Sequence, residues 1–225
     1  MSHGQISYHF FSFWLMIGLF PRSEKITVVG TGTGIIKPFY EKKNYTKPKI
    51  LFAAKGRFKD KGGDLVLKAF FKALETLPEL ELSIVGQNDY SDQISHPRIK
   101  TYGFVSIEEL QQLFNSHSLF LMPALNEPWG LVYIEAMLCK MPIVGLNRNS
   151  FPELSKNGEY GAIISEPDSV ALADSIIRLF EDPIQLEQIG IEAQKFALAN
   201  FTWENTVNKI LKVMEVSDEW KAEKK

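Results

Sequence analysis

The chain has 225 residues, 45% hydrophobic and 23% charged, which supplies ample core for a globular protein but is short for two full domains. Its 25 Lys+Arg against 27 Asp+Glu leave a formal charge of −2, so no basic excess is available to hold a nucleic-acid backbone. A single cysteine, Cys139, excludes a disulfide framework and multi-cysteine metal sites, and His3, His9, His96 and His117 lack metal-ligand spacing.

Residues 1–24 hold an apolar stretch, HFFSFWLMIGLF, at 9–20. It is shorter than the roughly 20 residues of a membrane span and lacks the flanks of a secretory signal. Lys25 opens a β-branched run (KITVV) that ends in Gly30-Thr31-Gly32-Thr33-Gly34. Residues 38–48 are polar, contain Pro38 and Pro48, and read as a linker. Ile50-Leu51-Phe52-Ala53-Ala54 is a short continuous apolar run, as in a strand buried on both faces. Val66, Phe70, Ala73, Leu74 and Leu77 then recur at helical spacing over 64–77. A strand is expected at 80–85, a loop at 87–97, and a strand at 99–102 that turns at Gly103. Ser106-Ile107-Glu108-Glu109 is a capping box opening a helix through Phe114. A strand at 119–122, a helix at 130–140 and strands at 142–145 and 162–164 follow, then helices at 168–181, 183–199 and 203–216. No internal repeat is present.

Strands alternating with helices predict an α/β fold: a parallel sheet with helices on both faces. Such sheets bind ligands beyond the carboxyl ends of their strands, which directs attention to loops 54–63, 86–92, 103–106 and 123–130.

Two of these loops carry chemistry. In Asn126-Glu127-Pro128-Trp129-Gly130-Leu131-Val132, Pro128 suits a first helical turn and Gly130 allows close approach to the backbone. Free N–H groups at 130–132 and the positive helix end would then make an anion site, with Glu127 and Glu135 nearby to accept hydroxyls. The alternative is that Glu127 merely caps the helix and Glu135 is a solvated face residue. The other loop, Lys55-Gly56-Arg57-Phe58-Lys59-Asp60-Lys61-Gly62-Gly63, mixes cations with glycines at a strand's carboxyl end. That suits a diphosphate, through point charges, forked donors and room for close approach; alone, it reads equally as a solvated charged turn.

Taken together, ILFAAKGRFKDKGGDLVLKAF, LELSIVG, TYGFVSIEEL, LFLMPALNEPWGLVYIEAMLCKMPIVG and FPELSKNGEYGAII resemble glycosyltransferase family 4. The resemblance covers about residues 25–216 and centres on an E-x7-E element, Glu127 to Glu135. It implies a Rossmann-like domain, the C-terminal, nucleotide-sugar-binding half of a GT-B fold, from a retaining and metal-independent enzyme. By resemblance, Lys61, Gly62 and Arg57 belong to the donor diphosphate loop, with Arg57 one residue off the commonest spacing. Glu127 would hold donor-sugar hydroxyls and Glu135 the ribose; Glu127, Lys61 and Arg57 are the implied catalytic residues. The backbone at Gly130, Leu131 and Val132 would meet phosphates and sugar, and Gly103, Phe104 and Val105 would line the base pocket. Lys140 stands where the family usually has a glycine, a position that wants a left-handed residue. Ala124 replaces a common serine.

Only 24 residues precede Lys25, whereas the resemblance calls for an N-terminal acceptor-binding half. The chain is therefore read as a donor half: a remnant or interface segment at 1–24, an interdomain-type linker at 25–48, the nucleotide-sugar domain at 49–202 and a terminal helix and tail at 203–225. Its expected partners are a UDP-, GDP- or ADP-linked sugar as substrate, a glycan or lipid-linked acceptor, and a separate acceptor-domain chain or a second copy through the apolar N-terminus. No nucleic acid, resident cofactor or metal is expected, and the location is cytoplasmic or peripheral at the inner face of a membrane. The alternative function is a non-catalytic nucleotide-sugar-binding subunit that needs a separate acceptor chain. A dinucleotide-dependent oxidoreductase, prompted by Gly30-x-Gly32-x-Gly34, fails because Ile35 stands where the fingerprint needs glycine and Pro38 interrupts the following helix.

Overall fold

The computed structural model describes residues 28–86 and 94–222, so the apolar stretch at 9–20 and the first part of the 87–97 loop lie outside the described residues. Strand β1 is Lys49–Ala53, followed by α1 (Gly63–Leu74), β2 (Glu81–Val85), β3 (Ile99–Tyr102), α2 (Ile107–Ser116) and β4 (Leu119–Leu121). Then come α3 (Leu131–Leu138), β5 (Ile143–Leu146), α4 (Phe151–Leu154), β6 (Gly161–Ile164), α5 (Ser169–Glu181), α6 (Pro183–Asn200) and α7 (Trp203–Ala222). The strands form one six-stranded parallel sheet in the order β3-β2-β1-β4-β5-β6. Ile50 pairs with Leu82 on one side and Leu119 on the other, which explains why β1 is apolar at every central position. The alternation expected from the sequence is thus the fold observed.

The order reverses at β1. Right-handed crossovers lead from β1 through α1 to β2 in one direction and from β4 through α3 to β5 in the other, so α1 and α3 cover opposite faces. On one face α1 packs against α5; on the other α3 packs against α6. Loops from β1 and β4 diverge at the switch, where such sheets open a crevice. They are tied together there: Leu125 N donates to Asp60 O at 2.9 Å. At Gly62 (φ +82°) an added Cβ would lie 2.2 Å from Pro123 O, so only glycine lets the two loops approach.

Local signals hold closely. The Ser106 hydroxyl accepts from Glu109 N at 3.1 Å, as the capping box requires. Lys140 adopts the left-handed backbone (φ 55°) expected of a glycine position. Its Nζ donates to Tyr40 O and Glu41 O, and Tyr45 Oη donates to its carbonyl, contacts that hold the strained residue in place. Segment 36–48 lies packed on the sheet domain. Ile36 and Tyr45 are buried, and the Lys43 ammonium, 4% exposed, donates to Phe114 O, Asn115 O and His117 O at the end of α2. Two features escape sequence reading. Residues 28–34 form no strand despite their β-branched start, and α4 has no counterpart among the elements the sequence predicts. The Phe151 ring of α4 fills the space over Gly145, where a Cβ would come within 2.8 Å of it.

Candidate functional site

A cavity of about 700 Å³ opens at the carboxyl ends of the strands around the switch point. Nine of the eleven anticipated residues line it: Arg57, Lys61, Gly103, Phe104, Val105, Glu127, Leu131, Val132 and Glu135. Gly62 and Gly130 do not. Gly62 serves the loop-to-loop approach described above. Gly130 (φ +67°) precedes α3, and a Cβ there would lie 2.7 Å from Leu154 Cδ1, so it is needed for the turn and its packing rather than for ligand approach.

The two chemical loops meet directly. Lys61 Nζ is in ion-pair contact with Glu127 Oε2, both side chains being largely shielded from solvent. Glu127 Oε1 accepts from Gly130 N at 3.1 Å. Glu127 thus fixes the turn just before α3 and belongs to the charged cavity, but it does not cap the helix: Gly130 holds the N-cap position and no side chain bonds the first helical amides. The expectation of a free N–H at residue 130 is corrected, because Glu127 occupies it. The amides of Leu131 and Val132 make no hydrogen bond among the described residues, so the N-terminus of α3 presents two unbonded amides at the cavity wall. Burial and then the nearby Arg57 guanidinium push Lys61 down to about 8, with Asp60 opposing. Arg57 is more exposed and pairs with Asp60 at 3.2 Å.

Glu135 is no solvated face residue. It is 9% exposed, and its Oε1 accepts from Ile35 N at 2.9 Å and Ile36 N at 3.5 Å. Burial pushes its carboxyl up, countered by those two amides and Lys55. The glycine run at 30–34 now has a purpose. A Cβ at Gly34 would stand 2.1 Å from Glu135 Oε1, and one at Gly32 would stand 2.4 Å from the Trp203 ring. These two glycines allow close packing against distant residues, a use that the failed dinucleotide fingerprint does not reveal.

Sequence reasoning missed Gly34, Ile35 and Trp129 as cavity residues. For Trp129 a signal existed, since it lies inside the element that names Glu127. Gly34 and Ile35 carry no local sign. Among the described residues no group of three or more His, Cys, Asp or Glu side chains converges as a metal site would, and no helix is long and apolar enough to cross a membrane.

A basic loop facing carboxylates across the switch point of a parallel sheet is the arrangement of a nucleotide-binding, Rossmann-like domain. The family is narrower than that class. Residues 36–196 match the model for glycosyl transferases group 1, and the chain belongs to that family. It is 26% identical over 164 residues to the D-inositol 3-phosphate glycosyltransferase of Corynebacterium diphtheriae, covering 67% of this chain and 38% of that protein. To the phosphatidyl-myo-inositol mannosyltransferase of Mycobacterium leprae it is 26% identical over 172 residues, covering 74% of this chain and 46% of that one. Its fold matches that of WaaG, a glycosyltransferase involved in lipopolysaccharide biosynthesis, with a TM-score of 0.70 at 16% identity over 84% of this chain and 56% of WaaG. The sheet and its helices are thus a Rossmann-like half of a GT-B fold. The chain spans less than half the length of the two curated relatives.

Proposed function

We propose that this chain binds the nucleotide-sugar donor of a retaining glycosyltransferase, which moves a hexosyl group onto a glycan or lipid-linked acceptor. One observation carries the reading: Lys61, Arg57, Glu127 and Glu135, which come from separate segments, line one cavity at the topological switch. Lys61, Arg57 and the amides of Leu131 and Val132 supply positive potential for a diphosphate, and they are held in place before any ligand arrives. Glu127 and Glu135 are acceptors suited to sugar and ribose hydroxyls. In the ligand-free chain Glu127 neutralises Lys61, so a diphosphate must share or replace that carboxylate. The relatives are named as transferases, which supports an enzyme over a non-catalytic binding subunit.

The test is a thermal-shift screen of the 225-residue chain against UDP, GDP, ADP and their sugars. One matched nucleoside diphosphate raises Tm, as a ligand selective for the native state must. Lys61→Ala removes most of that rise while leaving the unliganded Tm within a few degrees. Folded protein with no shift from any nucleotide overturns the reading.

A further inference from the structure

Around the cavity the order of the strand ends is β3, β2, β1, β4. At the β3 end stands Phe104, 70% exposed; after β1 come the basic residues Lys55, Arg57 and Lys61; after β4 come Glu127 and Trp129, the latter 57% exposed. Two flat aromatic side chains thus flank a cationic centre. The β3 and β4 ends are three interstrand spacings apart, about 14 Å. Among the described residues neither ring makes a ring or cation contact, and the Trp129 indole makes no hydrogen bond. Exposed aromatic rings at the mouth of a concave site that also holds charged groups mark a ligand surface.

We propose that the Trp129 indole is a stacking plate for the pyranose ring of the donor sugar, a reading that rests on the donor site proposed above. A nucleoside diphosphate laid along the rim with its base at Phe104 brings its phosphates to the β1 loop. The group beyond the second phosphate then arrives at β4, between the Glu127 carboxylate and the Trp129 ring. A pyranose suits that pair of neighbours. Its hydroxyls point outward to acceptors such as a carboxylate, and its C–H face is apolar and flat enough to lie on an indole. Trp129 is thereby a specificity-determining residue for the sugar and not for the base.

The experiment is calorimetric titration of the full chain, Trp129→Ala, Trp129→Phe and Phe104→Ala. The probes are UDP and UDP-glucose, GDP and GDP-mannose, and ADP and ADP-glucose. For the base that binds, the readout is the Kd of the nucleotide sugar divided by the Kd of the bare diphosphate. Trp129→Ala raises that ratio about tenfold and leaves the bare diphosphate within about twofold; Trp129→Phe falls between. Phe104→Ala weakens both ligands alike and leaves the ratio unchanged. Equal weakening of both ligands by Trp129→Ala would mean the base lies there instead and would overturn the assignment, as would an unchanged ratio. Failure of the unsubstituted chain to bind any of the six probes overturns the donor site itself, and the plate with it. Binding of a diphosphate with an unaltered ratio in Trp129→Ala overturns the plate alone.

Discussion

At Gly34 only a hydrogen atom fits. A Cβ would sit 2.1 Å from Glu135 Oε1, the same oxygen that takes the Ile35 and Ile36 amides. Gly34→Ala must therefore displace a buried carboxylate from its two donors, or push the 34–36 segment off α3. Either way a buried charge-assisted contact is lost, at about 1–3 kcal/mol. The expected outcome is a lowered urea midpoint together with weakened nucleotide binding. Gly103→Ala makes the comparison, because a Cβ there meets nothing within 4 Å although the residue lines the same cavity. Its urea midpoint stays at the parental value. If the two variants unfold alike, the contact between Gly34 and Glu135 contributes nothing to stability.

Helix α2 is fastened at its C-terminus by side chains from two other segments. Lys43 donates to two of its terminal carbonyls, Phe114 O and Asn115 O, and to His117 O just beyond, where the negative end of the helix dipole favours a cation. The imidazole of His117, just past the helix, bonds at Nδ1 to Leu113 O (2.6 Å) and at Nε2 to Ser83 Oγ (2.8 Å) in β2. A carbonyl can only accept, so Nδ1 carries the proton and Nε2 accepts from the serine. Burial pushes His117 down to about 4; the Leu113 carbonyl and Glu81 oppose this, and Lys43 and Lys49 reinforce it. Its folded value thus lies below the unfolded one near 6.5. Between those values the unfolded chain binds a proton that the folded chain refuses, so stability falls as pH drops through that window. The contribution is on the order of 3 kcal/mol when complete. Urea unfolding from pH 7 to pH 4.5 should show a smaller loss in His117→Gln than in the unsubstituted chain; parallel losses would remove His117 from the account.

Over the whole molecule, the topological switch decides where charge collects. It brings the β1 loop, with Lys55, Arg57 and Lys61, beside the β4 loop and the N-terminus of α3, so cations and free amides converge on one cavity. On the proposed reading, a diphosphate bound there would have its charge countered by Lys55, Arg57, Lys61 and these amides. Nucleotide affinity in EDTA is accordingly expected to equal that in millimolar Mg²⁺ or Mn²⁺ within about twofold, measured by titration at constant ionic strength. Affinity that collapses on chelation would assign the neutralisation to a bound cation instead.

Much of this was legible along the chain, because local patterns report local causes. The unbroken apolar run at 50–54 follows from pairing on both edges and burial on both faces, and the Ser106 capping box from one amide three residues away. The basic loop and the Glu127–Glu135 element could be placed at strand ends because strand alternation alone locates those ends. Contacts between distant segments left no such trace. Glu135 resembles any surface helix glutamate until Ile35, a hundred positions earlier, delivers its amide to it. Gly30-x-Gly32-x-Gly34 reads as a failed phosphate loop until Trp203 and Glu135 are seen filling the spaces a side chain would need. Gly130 keeps no free N–H because Glu127 folds back to take it. Periodicity and composition record which backbone is buried and where an element ends. Which donor meets which acceptor depends on how the elements pack, and that was decided by the tertiary structure.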